Sequence, residues 1–248
     1  QLAMQDFAIQ GFKGRMKRIK THIFWLAALC YGILVPACMK VSDEQQMSGD
    51  KVVGDTELAI ATLRSEEGIR FLQLDPVSRG WIVNPEEVSD IPDITRVFVQ
   101  YQSVERSNMP SFCTESVYID WAMTLDVGKI SSQQYGSGSE NPSGDPVDVL
   151  MDWVTSLEDG FLTLHYMVHA AGNARHFFTL YRGASPYEFY LRHDAQGDQT
   201  GSLTDGIVCF PVESLLPDTE GKTVDLSLEY LDLKNKKSRL TVEYKSPK

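Results

Sequence analysis

The residues in this sequence that could do chemistry are five histidines, four cysteines and 34 carboxylates. His165 and His169 stand four positions apart. On a helix such a pair would share one face within chelating reach, as in HExxH metal sites. The alternation Leu162, Leu164, Tyr166, Val168 around them reads instead as a strand. There the two rings still share a face but stand ~13 Å apart at about 3.3 Å per residue, so one ion cannot take both. His176 and His193 could approach one of them across strands, yet packed or solvated rings are the simpler expectation.

Asp194-Ala195-Gln196-Gly197-Asp198, followed by Gly201 and Asp205, invites a calcium reading. It misses the EF-hand order of alternating acids and a final Glu, so a turn-rich connection is expected. No GxSxG elbow is present, which removes support for α/β-hydrolase chemistry. A hydrolase with a carboxylate-based site needs two acids at a fixed short separation, and in so acidic a chain some pair meets that by chance. Trp81, Tyr118, Tyr187 and Tyr190 are the candidates for stacking on a sugar, with half or more of them expected in the core. No catalytic residue, no metal and no cofactor is expected.

The cysteines are Cys30, Cys38, Cys113 and Cys209, with no CxxC pair and no zinc spacing. Cys113 and Cys209 could bridge in an oxidising compartment, but they fall in different halves of the chain and disulfide geometry is demanding. Cys30 and Cys38 belong to an amino-terminal address. Met16, Lys17, Arg18 and Lys20 open it, and an apolar run extends from Ile23 to Val35. That run falls short of the ~20 residues of a membrane span but suits a signal-peptide core. It ends on Val35-Pro36-Ala37-Cys38, which resembles a lipobox, with Pro36 the less usual residue at its place. Cys38 is then the expected lipidation site, an acyl (palmitate-type) anchor to the membrane. Residues 1–15 read as an over-extended start, 16–37 as the lipoprotein signal peptide and 38–55 as a polar tether. Asp43-Glu44 in the tether resembles a surface-export signal and leaves the periplasmic and surface faces both open.

The formal net charge is −11, and the first 37 residues carry five of the 23 basic side chains against Asp6 alone. The remainder is more acidic still and repels phosphate backbones, which argues against nucleic-acid binding.

The elements that must position these residues are all strands. Val117, Ile119, Trp121, Met123, Leu125 and Val127 alternate with polar neighbours, which puts one buried face on a strand over 115–128. Val224, Leu226, Leu228, Tyr230 and Leu240, Val242, Tyr244 do the same. Upstream of residue 130 the pattern gives five strands, near 57–64, 69–75, 80–83, 95–104 and 115–128. A short helix starts at Asn84-Pro85-Glu86-Glu87, with Asn84 as its cap. That order is the order of an OB-like barrel over 56–130. Residues 131–145 are Ser-, Gly- and Pro-rich and read as a linker, since no P-loop lysine or strand-loop-helix context supports a phosphate cradle. Residues 146–248 give about seven strands, an immunoglobulin-like β-sandwich, with hairpin tips at Ala171-Gly172-Asn173 and Asn235-Lys236-Lys237. The fold class is all-β.

ELAIATLR (57–64), Trp81-Ile82-Val83-Asn84-Pro85, TRVFVQYQSV (95–104), DPVDVLMDWV (145–154) and FLTLHYMVHAAGNARHFFTLYR (161–182) together resemble the NigD-like family of cell-envelope lipoproteins. The resemblance implies an amino-terminal OB-type domain, a carboxy-terminal sandwich, and an outer-membrane lipoprotein with an immunity-associated role linked to bacteriocins. It implies no enzyme activity. The partner is expected to be an envelope protein or a glycan, reached from the membrane through the lipid anchor. The working reading is a non-catalytic binding module, with a glycan-binding accessory lipoprotein and a carboxylate-based hydrolase as alternatives.

Overall fold

The structure is a computed structural model that describes residues 19–20, 51–135 and 144–246. Cys38 and the apolar run before it lie outside the described residues. Within them the chain is a closed five-stranded barrel followed by a sandwich of two five-stranded sheets.

The barrel strands are β1 (Lys51–Glu66), β2 (Ile69–Gln73), β3 (Arg79–Ile82), β4 (Thr95–Glu105) and β5 (Glu115–Thr124). They pair in the ring β1-β2-β3-β5-β4, closed by β4 against β1, with β3 parallel to β5 and the other pairs antiparallel. Ile19–Lys20 pairs with Leu58 and Glu57 of β1. Closure removes the free edges that a five-stranded sheet would otherwise present. Inside sit Ala61, Leu63, Leu72, Val97, Val99, Val117 and Ile119, and Val88 from the turn after β3 packs among them.

Two local expectations are corrected here. The short helix expected after β3 is present as a single 3-10 turn, Pro85–Val88, but the Asn84 side chain does not cap it. Asn84 Nδ2 donates to the Ile119 carbonyl at 2.8 Å, and its Oδ1 accepts from the Ile119 N–H at 2.9 Å. A side-chain amide thus completes the ladder of β5 where no backbone partner reaches. The alternation over 115–128 also breaks partway. The register against β4 shifts at Asp120, with Ile119 opposite Tyr101 and Trp121 opposite Gln100. This bulge inverts the phase, so Ala122 turns toward the barrel interior while Met123 is exposed.

The chain leaves the barrel at Leu125 and enters both sheets of the sandwich before the expected linker begins. β6 (Asp126–Val127) runs parallel to the end of one sheet and β7 (Lys129–Gln134) parallel to the edge of the other. Gly128 between them lies against a core ring: a Cβ there would fall 2.1 Å from Phe210 Cε1. Residues 131–134, read as linker, are therefore strand. The stretch 136–143 lies outside the described residues.

The first sheet holds β8 (Asp148–Leu150), β9 (Ser156–Glu158), β10 (Phe161–Ala170) and β13 (Ser202–Pro211) with β6. The second is β15-β14-β12-β11-β7, built from β11 (Phe177–Arg182), β12 (Glu188–Asp194), β14 (Val224–Leu231) and β15 (Lys237–Tyr244). Leu162, Leu164, Leu180, Phe189, Phe210, Leu226 and Leu228 fill the space between them. Asn235, at φ +57°, turns β14 into β15 as a hairpin. Ala171-Gly172-Asn173 does not turn a hairpin; it carries the chain from β10 in one sheet to β11 in the other.

The outer face of the first sheet lies on the outer face of the barrel. Ile60, Leu125, Val154, Phe161 and Cys209 form one buried cluster there, with Phe98, Trp153 and Ile207 at its margin. In its midst Arg96, 2% exposed, donates to Thr62 Oγ1, Thr163 Oγ1 and Glu158 Oε2. Nearer the surface Arg64 grips Asp159 with two hydrogen bonds, at 2.9 and 2.7 Å.

Two outcomes are expected. Since β6 and β7 belong to the sandwich sheets, a fragment 125–248 unfolds cooperatively with a higher urea midpoint than a fragment 146–248; equal midpoints would show those strands to be dispensable. Arg96→Ala strands a buried Glu158 and costs ~3–5 kcal/mol, while Arg96→Met with Glu158→Leu recovers most of that loss. Urea unfolding of the whole chain measures both.

Candidate functional site

The groups that could hold or move protons gather on the sandwich, in two histidine clusters and one buried ion pair. β10 points Leu162, Leu164 and Val168 into the core, so His165 stands on the opposite face, toward the barrel side of the sheet. Its Nδ1 lies 2.6 Å from Asp152 Oδ2 and its Nε2 lies 3.1 Å from Asp205 Oδ2. Two carboxylates leave both ring nitrogens as donors, which is the hydrogen-bond pattern of an imidazolium. Burial lowers the His165 pKa, but the two aspartates overcome it and the ring is held above its ordinary range. Asp152 is pushed up by burial and pulled further down by His165 and by the Val154 and Thr155 N–H groups, for a net lowering. The triad fastens the 151–155 segment, which carries Trp153 against Phe98 of the barrel with ring centroids 6.3 Å apart.

The other cluster lies where the chain crosses between sheets. His176 Nδ1 is 2.9 Å from His193 Nε2, and the two rings stack with centroids 5.0 Å apart. His193 is 2% exposed and stacks on Phe178 as well. The sequence-level expectation of packed histidines fits His193. His169 stays at the surface, with Nδ1 3.3 Å from the Gly201 carbonyl.

The acids of the 194–205 loop point to three different places. Asp194 accepts from the N–H of Gln196 in its own turn, and Asp205 is bound to His165. Asp198, buried, accepts from the N–H groups of Ala171, Asn173 and Ala174, and these bonds, Ala171 first, hold its carboxyl below the usual range. Oxygen ligands that diverge cannot surround a calcium ion. Among the described residues no group of three His, Cys, Asp or Glu side chains is arranged to hold a metal.

A carboxylate with a raised pKa is the mark a hydrolase would leave, and Glu158 has one. Burial is the cause, opposed by Arg96. The acid is held in the junction ion pair, 3.3 Å from that guanidinium. Two other candidate nucleophiles are muted by burial: the Cys209 thiol is pushed up to about 11 and the Tyr166 hydroxyl to about 12. Cys113 and Cys209 are both free thiols and both buried.

Two of the four aromatic candidates for sugar stacking already have a covered face. Tyr190 lies flat under Tyr135, centroids 3.5 Å apart, and the Arg106 guanidinium sits 5.5 Å from the centre of the Trp81 ring. Tyr118 and Tyr187 are half-buried.

These contacts belong to a barrel-plus-sandwich all-β protein. Residues 131–244 match the NigD-like C-terminal beta sandwich domain. Solved structures share the whole architecture. A toxin-related protein from Parabacteroides distasonis aligns with a TM-score of 0.64 at 24% identity, over 77% of this chain and 94% of its own. A NigD-like immunity protein from Bacteroides caccae aligns at 0.52 and 20% identity, over 77% and 97%. A protein described as a lipoprotein from Bacteroides fragilis aligns at 0.51 and 11% identity, over 78% and 100%. Identities this low establish the shared fold. A comparison with curated proteins gives no match.

The titration of the Asp152–His165–Asp205 triad has a defined sign. His165 is raised, so its contribution is complete below its unfolded value of about 6.5 and disappears as pH rises through the folded value. Asp152 is lowered, so its share is present above about 3.9 and fades as pH falls below that. His165→Asn is expected to cost about 2 kcal/mol at pH 5.5 and clearly less at pH 9. Urea unfolding at the two pH values measures the difference, and a pH-independent loss would show that the ring is held as a neutral hydrogen-bonding group.

Proposed function

We propose that the mature protein is a lipid-anchored envelope protein, held at the outer membrane through acylated Cys38, and that it works as a non-catalytic binding module for another envelope protein. The NigD-like match over 131–244 carries this reading. The Val35-Pro36-Ala37-Cys38 sequence supports it, as does the likeness to the Bacteroides fragilis lipoprotein and the Bacteroides caccae immunity protein. By that likeness the binding role is immunity-associated: the protein engages and neutralises a partner and transforms nothing. The proposed division of the mature chain is a tether from Cys38 up to β1, which takes in residues 51–55 of the expected tether, then a barrel domain and a sandwich domain. The ion pair at Arg96 keeps the two domains in one orientation toward the partner.

Acyl chains contribute about 0.8 kcal/mol per buried methylene, and more than one chain makes the attachment stable. Cys38→Ala, expressed in the native cell, is expected to move the protein from the membrane to the soluble fraction and to abolish incorporation of labelled palmitate. Label retained in the Cys38→Ala protein would place the anchor elsewhere. Crosslinking of the anchored form in intact cells then reads the partner: capture of a single envelope protein supports the binding role, and turnover of a supplied glycan by the purified protein contradicts it.

A further inference from the structure

The hydrogen-bond chain through His193 and His176 fixes where each ring carries its protons. His193 Nδ1 lies 3.0 Å from the Pro146 carbonyl, which can only accept, so Nδ1 bears a hydrogen. In neutral His193 the remaining nitrogen, Nε2, is then a lone pair. Nδ1 of His176, 2.9 Å away, must donate to it. That leaves His176 Nε2, which faces Asp198 Oδ2 at 3.8 Å, with both side chains almost wholly buried. A proton arriving at His176 Nε2 meets a carboxylate. A proton arriving at His193 Nε2 meets the N–H of His176, and sets two donors and two like charges against each other.

We propose that His176 and His193 form an acid-sensitive latch with room for one proton, which opens the sandwich end when a second arrives. The first proton is taken at His176 Nε2, opposite Asp198. The second, at His193 Nε2, breaks the bond between the rings. Three segments are tied at this point. Pro146 and Asp145 enter the second half of the chain, and the Asp145 N–H donates to the His193 carbonyl. The crossing at 171–176 hangs on Asp198 through three backbone N–H groups. The loop after β12 supplies Asp198 itself. When the latch opens, the crossing and the Asp145–Pro146 entry loosen together, beside Phe177 and Leu203, which are already 50% and 49% exposed.

The other charges around the pair are committed elsewhere. Asp145 accepts from the Ala195 N–H and from Gln199, Asp194 caps its own turn, and Arg175 reaches Asp126 across the ring of Phe177. Asp145 is near enough to favour a charge on His193, but burial and the neighbouring His176 outweigh it. Burial holds His193 below the ordinary imidazole range, and the neighbouring His176 adds to the effect. The sign follows: between the lowered folded value and about 6.5 the unfolded chain binds a proton that the folded one refuses, so stability falls as pH drops through that window.

Nitrogen-15 NMR of the imidazoles in the whole protein tests the latch. The expected result is a His193 ring protonated at Nδ1 only, a first added proton at His176 Nε2, and a second at His193 Nε2. The second step is expected to coincide with at least a tenfold loss of hydrogen-exchange protection at the Ala171, Asn173 and Ala174 amides. His193→Gln can accept from His176 and donate to Pro146 without titrating, and is expected to keep those amides protected at acid pH. A neutral His193 carrying its hydrogen on Nε2, a first proton on His193, or an undiminished acid-induced loss in His193→Gln would each overturn the proposal. If His193→Gln folds poorly, the order of protonation in the unaltered protein decides alone.

Discussion

The structure depends on a cation buried where the barrel meets the sandwich. Arg96 sits on β4 with its backbone in the barrel wall and its guanidinium in the seam, 3.3 Å from Glu158. Burial lowers its pKa, with Glu158 and Asp159 opposing, and burial likewise raises that of Glu158 against the pull of Arg96. On both partners desolvation exceeds attraction. Such a pair adds little to stability over an apolar contact of the same shape, yet removing either half leaves an uncompensated charge. Its contribution is orientation. The planar guanidinium reaches Thr62 in the barrel and both Thr163 and Glu158 in the sandwich, and only one mutual placement satisfies all three. The apolar cluster of Ile60, Leu125, Val154, Phe161 and Cys209 would tolerate sliding; the arginine does not.

Connectivity reinforces that placement. The Leu125 N–H donates to the Arg96 carbonyl, and the Gly128 N–H donates to the Cys209 carbonyl. Within four residues the chain is bonded first to the barrel and then to the sandwich. β6 and β7 then add one strand to each sheet, both in parallel register. A parallel partner cannot come from a tight turn, and here it comes from the segment that left the barrel. The NigD-like match begins at residue 131, inside β7, so the unit it defines takes in most of this edge strand and its Ser-bearing residues.

Much of this was legible from alternation. Leu226 and Leu228, with Leu240 and Val242, are buried as their spacing requires, because β14 and β15 form a hairpin with an unbroken register. The same reading failed over 115–128, since a bulge at Asp120 adds one residue, and period-two reasoning has no means to see a phase change. It failed at Asn84 for another reason. An Asn before Pro-Glu-Glu fits a helix cap locally, and only the fold shows that its amide faces a carbonyl on a strand 35 residues away. Arg96 was invisible for the same cause: within TRVFVQYQSV it occupies a polar position of an alternating strand, and its burial is created entirely by the second half of the chain. The five strands of the barrel and their order depend on local pattern, whereas the seam depends on partners that no local window contains.

The histidines show how the partner, not the residue, decides the chemistry. His165 and His193 are both imidazoles on strands, both mostly buried, and neither is marked by a motif. His165 is placed between two carboxylates and gains stability from its proton. His193 is placed between a carbonyl and a second imidazole and loses stability from an added one. Their effects on folding therefore run in opposite directions across the range where imidazoles titrate. The acid surplus of the chain bears on each unequally. Asp152 and Asp205 act directly on His165, while the carboxylates near His193 are spent on backbone N–H groups, with only Asp198 turned toward His176. Lowering the pH thus leaves the clamp behind Trp153 charged and closed while it brings to the crossing at 171–176 a second proton for which it has no site. One end of the sandwich, beside the barrel, is held firm by the same change that loosens the other.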